Sequence, residues 1–416
     1  MASARRVAVT GLGIVNPFGG DLSDFFERSL RGESAVRLYT REDNGLRPLA
    51  IPAVVCKDFD AVAVLGGPLS YTMDRYSQLG TAAALSAWRD AGLPDTKDAP
   101  RNDWGVSWGT ALGGNLTFEH GYIELLARGR ERVAPLSVVL AMNNAAASHV
   151  SIQLGLGACC ATYSVACASS AVAIGEALAK IRSGEATLMV VGGSEAPLSY
   201  GVVRAWEAMR VLAGGDEATA ARACRPFNSD RQGLVLGEGA GAMVLEDWDS
   251  AVQRGARIYA EFAGYGSTSD HSHLVRPSAD GQMRAMRMAI EDGGLATDEI
   301  DYVNAHGTAT REGDPIEITA IRGVFGSRAE DLAVSATKSM HGHTLGASGV
   351  IEAIVTVLSL ASQAAPPTAH LEDLDRNCAG VRHITGECLR GGLRAALSNS
   401  FAFGGSNSVL AFRAAH

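Results

Sequence analysis

A cysteine in a run of small residues is the first candidate for chemistry. Cys167 lies in Tyr163-Ser-Val-Ala-Cys-Ala-Ser-Ser-Ala-Val172, between a strand-like piece and an apolar helix predicted over residues 172–181. Unpaired backbone N–H groups and the positive dipole end at a helix start favour a thiolate. Small neighbours let a substrate carbonyl approach, and the backbone N–H of the cysteine can face a developing oxyanion. A buried structural cysteine fits the same fragment, so both interpretations stay open at this point.

Two histidines lie far downstream in distinctive settings. His306 stands in Asn304-Ala-His-Gly-Thr-Ala-Thr310 and His343 in Lys338-Ser-Met-His-Gly-His-Thr344, and each motif follows a strand-like run. A single histidine is more often a core or surface residue than a catalyst. One cysteine with two histidines suits decarboxylative condensation, because that reaction needs an acylated nucleophile and two N–H donors on a thioester oxygen where enolate charge builds. A Cys-His hydrolase would need only one histidine.

Lys338 and Glu352 are candidates for a supporting pair. Glu352 follows His343 by nine residues, on the helix that the sequence predicts next. An ion pair between them could orient the histidines, and a solvated surface pair is the alternative interpretation.

Strand and helix patterns alternate along the chain. Residues 6–15 are β-branched and end in Gly11-Leu-Gly13, which predicts a strand followed by a glycine turn, and residues 186–191 predict a buried strand. Asn16 stands where a dinucleotide-binding loop would have its third glycine, so the glycine pair does not support a nucleotide-binding fold. The alternation itself predicts an α/β protein.

A faint internal similarity divides the chain. Helical stretches at residues 73–93 and 282–295 end in similar Asp-Ala/Gly-Gly-Leu motifs, and in each half a small-residue turn later opens an apolar helix. We therefore predict two related α/β halves that share one core. Residues 1–250 would carry the cysteine and residues 251–416 the two histidines.

Composition excludes several classes of protein. The 416 residues are 47% hydrophobic and 19% charged, which allows a large core. The net charge of −9 argues against nucleic-acid binding, which usually leaves a basic surface. The sequence opens without a signal-peptide pattern, and we expect no apolar run long enough to span a bilayer, so a cytoplasmic protein without a membrane partner is predicted. Seven cysteines lack CxxC spacing, so we predict neither a metal site nor a disulfide framework.

Four motifs together give the chain a specific resemblance. The segment around Cys167, His306-Gly-Thr-Ala-Thr310, Lys338-Ser-Met-His-Gly-His343 and Asn399-Ser-Phe-Ala-Phe-Gly-Gly-Ser-Asn407 occur in that order. The order and the motifs resemble those of the β-ketoacyl-ACP synthases, the elongating condensing enzymes of types I and II, over residues 6–412. The resemblance implies an α/β thiolase-like fold with two related halves in a five-layered αβαβα core, and a dimer.

The resemblance also implies a role for each motif residue. Cys167 would accept the acyl chain in a ping-pong reaction, while His306 and His343 would polarise the malonyl thioester and Lys338 with Glu352 would support them. Phe401 is similar to the gating phenylalanine whose backbone N–H would join that of Cys167 in the oxyanion hole, in a loop with Ala402 and Phe403. Thr308 and Thr310 would touch the phosphopantetheine arm of the acyl carrier protein. The enzyme would need no cofactor of its own.

Other positions bear on specificity. Leu112, in Gly109-Thr-Ala-Leu-Gly-Gly114, matches the residue that limits the acyl pocket, and Trp206 matches a pocket-lining aromatic; plain core packing is the alternative for both. His341 replaces a usual Thr, either as an extra imidazole beside His343 or as an exposed residue. Ala402 replaces a usual Gly, and its Cβ would disfavour a positive φ and alter loop motion.

The docking surface departs from the family pattern. The helix segment that is usually basic reads Gly67-Pro-Leu-Ser-Tyr-Thr-Met-Asp74 here. Because carrier proteins are acidic, exposed arginines are the remaining docking candidates, and each could also be an ordinary solvated side chain. These candidates are Arg75, Arg128, Arg130, Arg132 and Arg210.

Alternatives remain for the pathway, the activity and the assembly. The stretch from Gly193 to Leu212, with Ala402, is closer to synthases of specialised acyl chains, such as the nodulation-factor and polyene types, which leaves fatty acid and polyketide pathways open. A CoA-dependent thiolase would need a second catalytic cysteine near the C-terminus, and Cys378 and Cys388 lie outside the Phe401 loop. A chain-length-determining partner subunit would lack the nucleophile. The chain could instead be the catalytic member of a heterodimer, or form a homodimer.

Overall fold

The computed structural model describes residues 5–42, 46–96 and 99–415. The strands are β1 (Val7–Val15), β2 (Arg37–Arg41), β3 (Leu49–Val54), β4 (Trp104–Gly109), β5 (Cys160–Tyr163), β6 (Leu188–Glu195), β7 (Leu236–Gly237), β8 (Gly239–Asp247), β9 (Ala260–Ser269), β10 (Ile300–Asn304), β11 (Ala333–Ser335), β12 (Ala364–Ala365), β13 (Arg382–His383), β14 (Leu389–Arg390), β15 (Ala395–Phe401) and β16 (Ser406–Ala414). The α-helices are α1 (Leu22–Leu30), α2 (Ala61–Leu65), α3 (Gly67–Ser70), α4 (Arg75–Asp90), α5 (Asn115–Tyr122), α6 (Ser137–Ala141), α7 (Ala145–Leu154), α8 (Ser169–Ser183), α9 (Tyr200–Ala208), α10 (Trp248–Gln253), α11 (Ala279–Asp292), α12 (Gly313–Phe325), α13 (Lys338–His341) and α14 (Ser348–Ser362).

In the described part of the chain, eleven strands form one hydrogen-bonded sheet in the order β13-β11-β10-β15-β16-β9-β1-β8-β6-β4-β5. Its two halves meet at β1 and β9, where Ala8 pairs with Glu261 and Val9 with Ala260. Outward from this seam, each half continues with two antiparallel pairings and then parallel pairings. The mirrored order agrees with two related halves.

Helices fill the space between and outside the halves of the sheet. Helices α8 and α14 contribute Ile174 and Ile354 to a central core between the two halves. Helices α4 and α7 cover the outer face of the first half with Leu79 and Val150, and α11 and α12 cover the second. This is the five-layered α/β arrangement that the resemblance implied, and the fold prediction is confirmed. The division at residues 250 and 251 falls within α10 and stays a prediction.

Paired glycines let one helix lie close to the sheet in each half. A Cβ at Gly11 or Gly13 of β1 would lie 2.3 or 2.1 Å from a carbonyl oxygen of α4. Gly264 and Gly266 of β9 meet α11 in the same way, at 2.2 and 2.1 Å. The predicted glycine turn was therefore wrong, because the glycines lie inside β1, where they allow close helix packing.

One helical stretch corrects the expectation about apolar runs. Leu345–Ser362 is long and apolar enough to cross a membrane, with a mean hydropathy of 1.7 over 18 residues. However, 83% of this stretch is buried inside the protein, as expected for a core helix. Its apolar character comes from its position between the two halves of the sheet.

Candidate active site

Cys167 lies on a tight turn at the start of a central helix. The 3₁₀ turn Ala166–Ala168 joins β5 to α8, and Ala166 has a left-handed φ of 45°. The hydroxyl of Ser169 closes the turn, since it accepts from the Val165 N–H at 2.8 Å and donates to the Ala166 carbonyl at 2.7 Å. Below the turn, a Cβ at Gly109 would lie 2.3 Å from the Ser170 nitrogen, so only glycine leaves room for it. The sequence prediction of a cysteine at a helix start is consistent with this position.

Burial, rather than the helix start, dominates the acidity of this thiol. Cys167 is 6% exposed. Burial raises the pKa of its thiol to about 12, against the opposing effects of Lys338 and of a hydrogen bond from the Phe403 N–H. Burial therefore favours the neutral thiol over the expected thiolate in the free protein, and the sulfur needs a base to remove its proton.

A histidine stands in position to act as that base. His343 Nε2 lies 3.1 Å from Cys167 Sγ, and His343 Nδ1 lies 2.8 Å from the Ser348 hydroxyl. The His306 ring meets the His343 ring edge-on, with centroids 5.5 Å apart. Burial first, and then the charge of Lys338, hold the pKa of both histidines well below the ordinary value. Both imidazoles are therefore neutral at pH 7.

Lys338 fixes which nitrogen of His306 carries the proton. Its ammonium contacts three acceptors: the Glu352 carboxylate, the His306 carbonyl at 2.7 Å and His306 Nδ1 at 3.2 Å. An ammonium has three protons and no lone pair, so His306 Nδ1 must accept. The proton of the neutral His306 ring then lies on Nε2. Both Lys338 and Glu352 are 0% exposed, so the pair is buried and not solvated as the alternative interpretation had it.

The same tautomer bears on metal binding. One ligand atom from each of Cys167, His306 and His343 lies within 4.8 Å of the others, a combination that a transition metal could use. A metal on Nε2 of His306 would have to displace its proton to Nδ1, which the Lys338 ammonium already occupies as a donor. The arrangement therefore suits a proton donor at His306 better than a metal ligand.

The gating loop corrects the sequence analysis at one residue. Phe403, rather than Phe401, directs its backbone N–H to the Cys167 sulfur. Phe401 is buried as the last residue of β15, where it pairs with Asn407 and lies edge-on to His306. The ring of Phe403 stacks on Trp206, with centroids 5.8 Å apart. Ala402 does not have a positive φ, so its Cβ introduces no strain in this conformation.

A cavity of about 590 Å³ connects these groups to the surface. Its lining includes Cys167, His306, His343, Phe401, Ala402, Phe403, Trp206, Thr308 and Thr310. The hydroxyls of the two threonines lie 3.0 Å apart. Leu112 does not line this cavity, but it packs in the apolar cluster that contains Cys167 and Trp206. The structure thus brings the nucleophile and the imidazoles together with three of the four predicted substrate contacts, Trp206, Thr308 and Thr310.

Only one of the five proposed docking arginines lies at the mouth of this cavity. Arg210 is exposed there, with a left-handed φ of 58°. Arg75 is bound to Glu238 at 2.6 Å, and Arg128 and Arg130 pair with Glu124. Arg132 is exposed but does not line the cavity.

Two arginines at the mouth were missed. Arg276 and Arg311 are exposed and line the cavity. Arg311 directly follows the Thr310 motif, which was the available signal, whereas Arg276 lies in a loop that no motif marked.

His341 is buried, so the suggestion of an exposed residue was wrong. Its Nδ1 lies 3.0 Å from the Gly342 carbonyl and its Nε2 lies 3.1 Å from the Thr337 hydroxyl. Burial, followed by the charge of Lys338, lowers its pKa to about 3. Both ring nitrogens have polar neighbours within the turn, which is what a structural imidazole requires.

Glu317 is a further site residue that the sequence analysis missed. Its carboxylate accepts from the backbone N–H groups of His306 and Gly307, both at 2.8 Å, and from Asn399 at 3.1 Å. It therefore holds the loop that carries His306. No motif marks it, because its partners are backbone groups.

Comparison with known proteins identifies the family. Residues 4–251 match the β-ketoacyl synthase N-terminal domain and residues 259–372 match the C-terminal domain. The chain therefore belongs to the β-ketoacyl synthase family. It is a condensing acyltransferase, as the sequence predicted.

Individual relatives cover nearly the whole chain. The 3-oxoacyl-[acyl-carrier-protein] synthase 2 of Staphylococcus aureus (strain N315) is 38% identical over 416 residues, 99% of each chain. Nodulation protein E of Rhizobium sp. (strain N33) is 41% identical over 415 residues, 98% of this chain and 99% of the relative.

Two solved structures are also similar over their full lengths. The ishigamide ketosynthase/chain length factor has a TM-score of 0.91 and 31% identity, and the alignment covers 100% of both chains. A type II PKS acyl-carrier protein in complex with its ketosynthase bound to the hexaketide gives a TM-score of 0.89 and 30% identity, again over 100% of both chains.

Proposed function

We propose that the enzyme transfers an acyl chain from an acyl carrier protein to Cys167 and then condenses it with a malonyl unit, with loss of carbon dioxide. The product is a β-ketoacyl chain two carbons longer on the carrier. The observation that carries this proposal is the meeting of the Cys167 sulfur, His343 Nε2 at 3.1 Å and a proton-bearing His306 Nε2 in one cavity.

The first half-reaction transfers the acyl group. Because burial raises the pKa of the Cys167 thiol, His343 takes its proton as the sulfur attacks the thioester carbonyl. The backbone N–H groups of Cys167 and Phe403 receive the developing oxyanion. The C–S bond to the phosphopantetheine arm then breaks, and the departing thiolate takes the proton back from His343.

The second half-reaction forms the carbon–carbon bond. The malonyl thioester oxygen lies between the Nε2–H groups of His306 and His343, and the bond to the carboxylate breaks to give carbon dioxide and an enolate. After the first half-reaction His343 is neutral with its proton on Nδ1, so before condensation this proton exchanges with solvent for one on Nε2. Its Nδ1 then accepts from the Ser348 hydroxyl at 2.8 Å. The enolate carbon attacks the acyl carbonyl on Cys167, the cysteine sulfur leaves as a thiolate, and this thiolate takes one proton from solvent. Lys338 and Glu352 act as positioning residues for His306 throughout.

The cavity mouth suits an acidic carrier protein. Thr308 and Thr310 line the channel and are placed to contact the phosphopantetheine arm, which belongs to the carrier. Arg210, Arg276 and Arg311 surround the opening, and they replace the four other arginines as the docking set. The solved carrier complex of a similar ketosynthase supports this partner.

A second ketosynthase-like subunit fits the exposed edge of the sheet. Strand β5 ends the sheet, and large apolar side chains between residues 118 and 142 are exposed near it in sequence. Such an apolar area with an open strand edge is typical of a subunit interface. We assign a cytoplasmic dimer, with either a second copy or a related subunit such as the chain length factor named in one similar structure.

The proposal also covers the division of the chain into two halves and the kind of acyl substrate. We propose that residues 1–250 form the half that supplies Cys167 and residues 251–416 the half that supplies the histidines. Within these bounds, residues 1–4, 43–45, 97–98 and 416 lie outside the described residues. The similarity to Nodulation protein E supports a specialised acyl substrate in place of a general one. A thiolase activity is disfavoured because neither Cys378 nor Cys388 lines the cavity with Cys167.

The proposal is tested by intact mass measurement of wild-type and Cys167→Ala protein with acyl carrier protein substrates, followed by malonyl carrier protein. Wild type should gain one acyl mass and then release a β-ketoacyl carrier two carbons longer, while the variant should gain nothing. Labelling by acyl-CoA alone would favour the thiolase activity. Absence of any label with the isolated chain, restored by a co-expressed related subunit, would establish the heterodimer.

A further inference from the structure

Glu195 is a buried carboxylate that the mechanism above does not use. It is the last residue of β6 and is 0% exposed. Its oxygens accept from the backbone N–H groups of Ala111 at 2.6 Å, Leu112 at 3.0 Å and Gly346 at 3.0 Å, and from the Thr110 hydroxyl at 3.2 Å. Burial still raises the pKa of this carboxyl to about 7, so its donors offset the burial cost only in part.

The groups that donate to Glu195 come from two loops at different parts of the site. Thr110, Ala111 and Leu112 follow β4, and Leu112 packs in the apolar cluster with Cys167. Gly346 belongs to the 3₁₀ turn Leu345–Ala347 that follows His343. Glu195 therefore ties the backbone of the predicted acyl pocket to the turn behind the catalytic imidazole.

The loop after β4 and the turn Leu345–Ala347 lie so close together that a small displacement of one would move the other. A Cβ at Gly346 would lie 2.4 Å from the Ala111 nitrogen and 2.6 Å from Glu195 Oε2. No side chain separates the loops, so their backbones lie in direct contact and the Glu195 carboxylate bridges them. A shift of the loop after β4 would move Leu112 relative to Cys167.

We propose that Glu195 is a positioning residue that fixes Leu112 and thereby determines which acyl chain lengths Cys167 accepts. This inference rests on the function proposed above. It assigns a specificity role to a residue that contacts neither the sulfur nor the imidazoles through any hydrogen bond in the described structure.

Glu317 provides a matched comparison. It is also a buried carboxylate whose pKa burial raises, and it also accepts from two adjacent backbone N–H groups. Those groups belong to His306 and Gly307, on the side of the site that handles the malonyl unit. A general effect of losing a buried carboxylate would appear in both variants, whereas a pocket effect would appear only at Glu195.

The experiment compares wild type, Glu195→Gln and Glu317→Gln. Single-turnover acylation of Cys167 is followed by intact mass with a series of acyl carrier proteins of increasing saturated chain length, and decarboxylation of malonyl carrier protein is measured separately. In Glu195→Gln we expect the ratio of long-chain to short-chain acylation rates to change about tenfold, which corresponds to one lost positioning interaction. Glu317→Gln should keep the wild-type ratio and slow decarboxylation.

A milder variant guards against a folding defect. Thr110→Val removes one donor to Glu195 and also the acceptor of the Gly113 N–H. It should shift the chain-length ratio in the same direction by a smaller factor. An unchanged ratio in folded Glu195→Gln, or in Thr110→Val if Glu195→Gln does not fold, would overturn the inference. Failure of wild type itself to become acylated would instead refute the proposed function, so the two failures are distinguishable.

Discussion

Two 3₁₀ turns, one in each half of the molecule, lead into the two central helices. Ala166–Ala168 precedes α8 and Leu345–Ala347 precedes α14. Each turn begins with a left-handed residue, Ala166 with φ 45° and Leu345 with φ 44°. Both helices have 15 residues and begin with a serine. The two halves have therefore kept one local backbone design.

The contents of the two turns differ at the middle residue. Cys167 occupies that place in the first turn and Gly346 in the second. The glycine leaves room for the loop after β4 and for Glu195, where a Cβ would collide. The turn Ala166–Ala168 thus presents the nucleophile. The turn Leu345–Ala347 has a glycine at the same place, which lets the loop after β4 pack directly against it. Similar backbones here support different functions.

Replacing the nucleophile with the residue of the second turn should have the largest effect. Cys167→Gly should lower condensation by at least about 10³-fold, because no acyl-enzyme can form. Since the two histidines remain, decarboxylation of malonyl carrier protein should persist. Product analysis of both reactions tests this, with Cys388→Ala as the control for cysteine loss. Condensation within tenfold of wild type would show that Cys167 is not the acyl acceptor.

The acidity of the Cys167 thiol in the first turn can be measured directly. With the thiol pKa raised to about 12, the thiolate fraction should rise as pH increases, by about tenfold per unit below that value. The rate of alkylation of Cys167 by iodoacetamide should therefore increase about 100-fold from pH 7 to pH 9 without a plateau. Because Cys159 and Cys160 are exposed, the rate is read from the mass of the peptide that carries Cys167. A plateau near neutral pH would mean that helix start and His343 together stabilise a thiolate, as the sequence first suggested.

Lys338 has two roles that can be tested separately. It stabilises the fold by pairing with Glu352, and it sets the tautomer of His306. Lys338→Met leaves Glu352 buried without its partner and should destabilise the protein by about 3–5 kcal/mol. Adding Glu352→Gln should restore most of this stability, measured by thermal unfolding. Malonyl decarboxylation should stay about tenfold reduced in the double variant, because no ammonium holds the proton of His306 on Nε2. Full recovery of decarboxylation would reduce the pair to a purely structural role.

The sequence predicted the residues that meet at the site but not all of their partners. Cys167, His306 and His343 could be found because each stands in or beside a motif of small residues and glycines. Cys167 and His306 follow the ends of β5 and β10, whereas His343 follows α13. Glu195 and Glu317 could not be found, because they bind backbone N–H groups of distant loops. Nearly every residue type has a backbone N–H, so the sequence does not indicate which one will be a donor. The two-half fold was predictable from its repeated helix and turn patterns.

Two errors came from effects that depend on three-dimensional packing. Phe401 and Phe403 are identical residues two positions apart, and only the end of β15 decides which N–H faces the sulfur. The pKa of Cys167 depends on how deeply the turn is buried between the two halves, which a local helix-start pattern does not contain. Surface arginines likewise became docking candidates only once the loops around the cavity mouth were placed.

The serines at the helix starts should give the smallest and most discriminating effects. Ser169 binds only its own turn, through Val165 and Ala166, whereas Ser348 lies 2.8 Å from His343 Nδ1. Ser169→Ala leaves the partly buried Val165 N–H without its acceptor and should cost about 1 kcal/mol of stability. Ser348→Ala should lower the rate of Cys167 acylation several-fold, by about the value of one hydrogen bond.

The two serine variants are best measured side by side by thermal unfolding and single-turnover acylation. If the turns differ in function as proposed, Ser169→Ala should mainly lower the melting temperature, and Ser348→Ala should mainly lower the rate. Equal losses of rate in both variants would mean that the two turns act as one mechanical unit. In that case the common backbone, rather than the residue each turn presents, would control the chemistry.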